Sequence, residues 1–297
     1  MAAAKLITAR TLIAHAMALS LALLIAGCGD PEPIKTGNFD YDGQAADWPR
    51  CDSPKQAAKG PDPEISTAAG ARVVVKTPEN YRPEIAHPLI VLYAPGGRSS
   101  RESEGFHDIT TEATSKGFIV AVAEDRRPLP ENVIDMATIP TEVAKNWCID
   151  KARVFATGHS NGGLYSSAVA FFPEARGAFR AIAPSAAGIR KQDLETYSCP
   201  DPTPVLIYHG RFDMAFSGWG RGAAEWWAKC NGCAGDQPLT SLEGCVQFQG
   251  CKPGGETIYC EGPWTHGTWP GRNSEILEFF RLNGQIATAA EAPPTTQ

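Results

Sequence analysis

Several stretches of the chain are apolar at almost every position. They are Leu89-Ile90-Val91-Leu92-Tyr93, Phe118-Ile119-Val120-Ala121-Val122-Ala123, Val154-Phe155-Ala156 and Pro204-Val205-Leu206-Ile207-Tyr208. Apolar runs of this length without polar alternation fit strands buried on both faces. A β-branched stretch at Arg72–Lys76, another strand at Phe179–Ala183 and a short one near Thr257–Tyr259 complete the set. Helix-compatible segments lie between them at 102–116, 136–147 (interrupted near Pro140), 161–172, 221–229 and 274–282. In the third, Leu164, Ala168 and Phe171 recur at helical spacing. Trp226 and Trp227 in the fourth, and Ile276, Leu277, Phe279 and Phe280 in the last, supply apolar surface for packing. Strands alternating with helices predict an α/β fold, a mostly parallel central sheet covered by helices on both faces.

Ligand chemistry in such sheets gathers at the carboxyl ends of the strands. The loops after Tyr93, Thr157 and Tyr208 leave from that edge. The second reads Gly158-His159-Ser160-Asn161-Gly162, a G-x-S-x-G between a strand and a helix. A serine on that sharp turn has its hydroxyl exposed above the sheet. The bland alternative is a glycine-rich turn whose serine caps the helix.

A serine hydroxyl needs a base, and the base an orienting acid. Beyond residue 27 the histidines are His87, His107, His159, His209 and His266. His159 adjoins the serine and is expected to point away from it. His87 precedes a strand, His107 comes before Ser160, and His209 sits at a strand end where it shapes the following loop. His266 lies after the last strand and before the final helix, where chain order Ser, Asp, His places the base. Asp213 follows the 204–208 strand and is the candidate acid; Asp201 precedes that strand and sits at the wrong edge. An oxyanion needs two N–H donors. Asn161 offers one. Pro95 has no N–H, so Gly96 or Gly97 must offer the other, and Gly96 is taken as that donor. Trp219, Trp264 and Trp269 are candidates to line an aromatic acyl pocket, with core packing the competing reading for each.

The first 27 residues do not belong to this fold. Lys5 and Arg10 precede an apolar stretch from Ala14 to Ala26, which ends in Leu24-Ile25-Ala26-Gly27-Cys28. This reads as a signal peptide, too short for a stable membrane span. Its ending resembles the lipobox of bacterial lipoproteins, which implies lipidation at Cys28 and anchoring at the cell envelope. Residues 28–68 read as a tether and irregular lead-in, 69–283 as the folded domain, and 284–297 as a disordered tail. Removing the signal takes away two basic residues and no acid, so the formal charge goes from −6 to −8. That balance argues against nucleic-acid partners. Apart from Cys28, eight cysteines remain for the exported domain, Cys51, Cys148, Cys199, Cys230, Cys233, Cys245, Cys251 and Cys260. An even number in an exported chain predicts up to four disulfides of unassigned connectivity. Five fall between 230 and 260, which predicts a stapled loop region. Cys230-Asn231-Gly232-Cys233 has no paired histidines nearby, so neither a metal nor another cofactor is indicated.

Three segments together resemble the esterase/polyhydroxybutyrate depolymerase family, which includes feruloyl and acetylxylan esterases. They are Cys148-Ile149-Asp150 leading to Gly158–Gly163, the His209-Gly210-x-x-Asp213 loop, and His266…Trp269-Pro270-Gly271. Trp227…Asn231-Gly232-Cys233 also looks like the family's segment after the acid. The resemblance covers roughly 70–282. It implies an α/β-hydrolase fold, an ester substrate, and Ser160, Asp213 and His266 as nucleophile, acid and base. The chain departs from the family in carrying Tyr93-Ala94-Pro95 at the oxyanion loop, and in spacing His266 one residue further from Trp269-Pro270-Gly271. A weakly catalytic, surface-displayed protein that binds carbohydrate or polyester is the alternative from another class.

Overall fold

The structure, a computed structural model, describes residues 48–284 apart from 61, 240 and 241. The proposed signal peptide, Cys28 and residues 285–297 lie outside the described residues.

Ten strands form one sheet in the order β1-β2-β4-β3-β5-β6-β7-β10-β9-β8. In chain order these are β1 (Glu64–Ser66), β2 (Arg72–Lys76), β3 (His87–Tyr93), β4 (Ile119–Ala123), β5 (Ile149–His159), β6 (Ala181–Ser185), β7 (Val205–Phe212), β8 (Ala234–Pro238), β9 (Cys245–Gln249) and β10 (Thr257–Thr265). From β4 through β10 every neighbour pair in the centre is parallel. Antiparallel pairs close both margins. The helices are α1 (Ser100–His107), α2 (Thr110–Ser115), α3 (Pro130–Met136), α4 (Ile139–Val143), α5 (Asn161–Phe171), α6 (Lys191–Leu194), α7 (Trp219–Cys230) and α8 (Asn273–Asn283).

The continuous apolar runs have the cause expected of them. Alternate residues of one strand enter different cores: Leu89, Val91 and Tyr93 pack on one face with Ala156, Ile182 and Ile207. Ile90 and Leu92 pack on the other with Phe155, Ala183, Leu206, Phe279 and Phe280. A strand buried on both faces has no polar side to alternate with.

Several boundaries differ from the sequence reading. The segment 102–116 is two helices, parted at Asp108, whose φ of 49° reverses the chain direction. Aspartate tolerates this left-handed conformation better than most residues, so no glycine or proline marks the break. The helix expected at 136–147 begins earlier, at Pro130 in the first-turn position, and a second short helix carries Pro140 in its first turn. Proline there costs no hydrogen bond. Helix α5 is buried on nearly every side rather than along one stripe, Leu164 being only half-buried.

The cysteine-rich region is stapled, and it also holds β8 and β9, which extend the sheet past β10. The disulfides are Cys51–Cys148, Cys199–Cys230, Cys233–Cys251 and Cys245–Cys260. Cys245 and Cys260 face each other across the β9–β10 pair. Cys51–Cys148 ties the lead-in to the residue preceding β5, across 97 positions of sequence. Four disulfides fit an oxidising, extracytoplasmic compartment.

Candidate active site

Strand β5 ends at His159 and α5 begins at Asn161, so Ser160 alone makes the turn. Its φ is 57° and ψ −114°, a left-handed backbone that a residue with a side chain adopts only when its surroundings hold it there. The surroundings are main chain. Ser160 N–H donates to the Ser185 carbonyl at 3.0 Å, and its own carbonyl accepts from Leu164 N–H at 2.9 Å. Two glycines let the turn fit. A Cβ on Gly162 would lie 2.1 Å from the Tyr93 carbonyl oxygen, and one on Gly163 would lie 2.3 Å from that of Ser185. Neither neighbour is a side chain that can move aside.

The Ser160 Oγ lies 3.0 Å from His266 Nε2. His266 Nδ1 lies 2.9 Å from Asp213 Oδ2. The three residues come from three different loops at the carboxyl edge, after β5, β7 and β10. Asp213 is almost fully buried, at 2 % exposure. Its second oxygen, Oδ1, accepts from Ala215 N–H and Phe216 N–H, both at 2.9 Å. The carboxylate therefore shapes its own turn and faces His266 at the same time. Burial pushes its pKa up, but the bonds from His266 and Phe216 and the nearby imidazoles outweigh this, so it sits below the usual carboxylate value.

The additional residue between His266 and Trp269 is absorbed in a turn. Thr268 N–H donates to the Thr265 carbonyl at 3.1 Å, and the two threonine hydroxyls are 2.9 Å apart. Trp269 then anchors the loop: it is 8 % exposed, its Nε1–H donates to Asn273 Oδ1 at 2.8 Å, and its ring meets His107 edge-on at 4.5 Å. Packing accounts for this ring. Trp264 is half-buried, 6.1 Å from the Tyr208 ring, against the core face that holds α8. Trp219 is the tryptophan that reaches the His266 surroundings, through Phe216: its ring stacks on Phe216 at 4.7 Å, and Phe216 meets His266 edge-on at 4.6 Å.

The loop after Tyr93 is a tight turn from Pro95 to Arg98, closed by Arg98 N–H to the Pro95 carbonyl at 3.1 Å, with Gly97 at φ 76°. That left-handed position suits glycine. Gly97 N–H is already engaged, donating to Asp125 Oδ2 at 2.7 Å. The other Asp125 oxygen accepts from Asn161 Nδ2 at 3.2 Å, and Asp125 N–H donates to the Arg98 carbonyl at 2.9 Å. Asp125 thus clamps the turn to the serine's helix. Among the described residues, Gly96 N–H has no hydrogen-bond partner, and Asn161, first in its helix, has no intrahelical acceptor for its own.

Asp125, Phe216 and His159 were not singled out as site residues by sequence. His159 does not simply turn away: its Nε2 donates to the His266 main-chain carbonyl at 2.6 Å, and its Nδ1 is 3.0 Å from Ser185 Oγ. It supports the base loop from beneath. His209 lies buried beside Asp213, with Nε2 3.9 Å from Oδ2. Among the described residues no cluster of histidine, cysteine, aspartate or glutamate could hold a metal ion.

Burial lowers the His159 pKa from 6.5 to about 4, and that of His107 to about 3. Unfolded, both would titrate near 6.5. As pH falls from there, the unfolded chain takes up protons that the folded one refuses, so stability is full above 6.5 and is lost toward pH 4 and 3. By pH 4 the combined loss is on the order of 6 kcal/mol. Denaturant titrations at pH 7 and pH 4 should show this drop, and His159→Gln, which can still donate to the His266 carbonyl, should flatten its upper part.

The chain is 26% identical over 222 residues to feruloyl esterase B of Piromyces equi, an alignment that takes in 64% of this chain and 41% of the relative. It therefore spans about two-fifths of the curated relative's length. No family model matches the chain. Its structure superposes on the acetyl xylan esterase from Aspergillus awamori with a TM-score of 0.57 at 16% identity, over 75% of this chain and 99% of that one. The chain is an α/β-hydrolase by fold. A second structural neighbour, the thermophilic esterase Est2 of Thermogutta terrifontis, matches with a TM-score of 0.52 at 14% identity over 78% and 95% of the two chains.

Proposed function

We propose that the protein is a serine carboxylic-ester hydrolase working through an acyl-enzyme. The observation that carries this reading is the unbroken hydrogen-bonded chain from Ser160 Oγ through His266 to a buried Asp213. His266 Nε2 takes the hydroxyl proton as Oγ attacks the ester carbonyl. The C–O bond to the alcohol then breaks, and the same proton passes to the departing oxygen. Water, activated by His266 in turn, releases the acid. Asp213 holds the imidazole in the tautomer that leaves Nε2 free to accept.

Gly96 and Asn161 N–H are the proposed oxyanion donors, a role favoured by their both being unpartnered on either side of the elbow. Pro95 then withholds nothing the reaction needs. Asp125 would keep that pair in place. In Asp125→Ala, kcat on a short ester is expected to fall about tenfold to a hundredfold, less than loss of a donor itself, with KM changing far less. Steady-state kinetics on folded protein checks this.

The alignment with a feruloyl esterase, and a structural neighbour acting on acetyl xylan, favour plant-wall esters as substrates, with polyhydroxyalkanoates as the enzymatic rival. Methyl ferulate against hydroxybutyrate oligomers separates them. A fluorophosphonate should label wild type and leave Ser160→Ala unlabelled; a scaffold that binds carbohydrate or polyester without catalysis would label in neither. Export with a lipid anchor at Cys28 belongs to the same proposal, and mass spectrometry of the mature N-terminus tests it.

A further inference from the structure

Two rings flank the His266 imidazole. His159 lies beneath it at 5.6 Å and is 2 % exposed. Phe216, half-buried, meets it edge-on at 4.6 Å and 81°. Phe216 is fixed from several directions. Its N–H donates to Asp213, and Trp219 stacks on its ring at 4.7 Å and 20°. Gly188 makes room for it, because a Cβ there would come within 2.9 Å of the Phe216 Cζ. In the same loop region, Phe212 and Met214 flank Asp213 in sequence and are 57 % and 94 % exposed. They are among the few large apolar side chains that the described residues leave in water. Scattered exposed apolar residues need no explanation, whereas a group beside a candidate site marks a contact surface.

Which half of an ester meets this surface follows from the proton's path. The proton that His266 takes from Ser160 must go to the departing alkoxide when the ester C–O bond breaks. The alcohol half therefore leaves past the imidazole, while the acyl half stays on Ser160 with its oxygen toward Gly96 and Asn161. A wall packed against His266 therefore borders the alcohol.

We propose that the Phe216–Trp219 stack forms the alcohol subsite and selects alcohols with a flat ring face, either an aryl ring or the C–H face of a sugar ring. Phe212 and Met214 extend its apolar surface outward. The inference rests on the esterase reading above and deepens it, and it moves Trp219 from the acyl side to the leaving-group side.

Benzyl and methyl esters of one acid release alcohols of nearly equal acidity, so a difference in kcat/KM reports contacts rather than leaving-group chemistry. The wild type should prefer the benzyl ester, or the same acid on the primary hydroxyl of a methyl glucoside, by about three- to tenfold over the methyl ester. The two arms distinguish an aryl from a sugar face. Trp219→Ala and Phe216→Ala should each bring that ratio toward one. Because Phe216 touches His266, Trp219→Ala is the cleaner variant, and its ratio of methyl ferulate to methyl acetate turnover should stay near the wild-type value. The subsite is overturned if neither ring alcohol outperforms methanol in the wild type. It is equally overturned if both variants keep the wild-type ratio, or if Trp219→Ala alters acyl rather than alcohol preference. A wild type that turns over no ester and takes no fluorophosphonate label removes the esterase reading itself, and the subsite with it.

Discussion

Replacing Ser160 by alanine should lower kcat on a p-nitrophenyl ester by about 10⁴-fold or more, to the rate left by the oxyanion donors and binding alone. The reason is local. Ser160 Oγ is the hydroxyl that His266 Nε2 touches, at 3.0 Å, and Asp213 then orients that imidazole from its other nitrogen. Folding should survive the change, since Ser160 is held by main-chain bonds to Ser185 and Leu164 that alanine keeps. Alanine would still have to adopt the same left-handed backbone, with φ at 57°. A small loss of stability is therefore expected beside the large loss of rate, and a thermal melt run with the kinetics separates the two. Residual turnover close to wild type would mean another nucleophile.

Asp213→Asn should cost about 10⁴-fold in kcat while altering shape little. The direction can be worked out atom by atom. Oδ1 of Asp213 accepts two N–H groups, from Ala215 and Phe216, both at 2.9 Å. An asparagine must keep its carbonyl oxygen there, because an NH₂ would face two donors. Its NH₂ is then forced toward His266 Nδ1, which must accept rather than donate. The ring proton moves to Nε2, and a protonated Nε2 cannot take the hydroxyl proton of Ser160. The variant should fold, show a KM of the same order, and label slowly with a fluorophosphonate. A loss below tenfold would mean that the carboxylate's orienting role is slight.

The parts of this molecule that could be read from sequence are those written in local pattern. Both faces of strands 89–93 and 204–208 are buried, and the sequence signals it by having no polar alternation. The turn at Ser160 needs residues without side chains where a Cβ would fall within 2–3 Å of neighbouring main chain, and the glycines advertise it. Chain order, which topology constrains, points to His266, and the fold brings its Nε2 to 3.0 Å from Ser160 Oγ. What escaped depends on packing between distant segments. Asp125 looks like any polar residue after a strand, yet it joins residues 97 and 161. Phe216 lies in a loop whose sequence gives no sign that its ring rests on an imidazole 50 residues downstream. Strand β8, Ala234-Gly-Asp-Gln-Pro, is exposed at every position, so it has no hydrophobic pattern to detect. Trp269 shows a further ambiguity of local pattern, because a tryptophan beside a motif reads equally well as pocket wall or anchor, and here its ring meets Asn273 and His107.

The most direct test is to mix the protein with a p-nitrophenyl ester, quench in acid within a turnover, and map the mass of the trapped acyl group by peptide. The expected result is one acyl addition on the peptide carrying Ser160, absent from Ser160→Ala and prolonged when deacylation is slowed. Ester turnover without any adduct on that peptide, or an adduct on another residue that persists in Ser160→Ala, would contradict it.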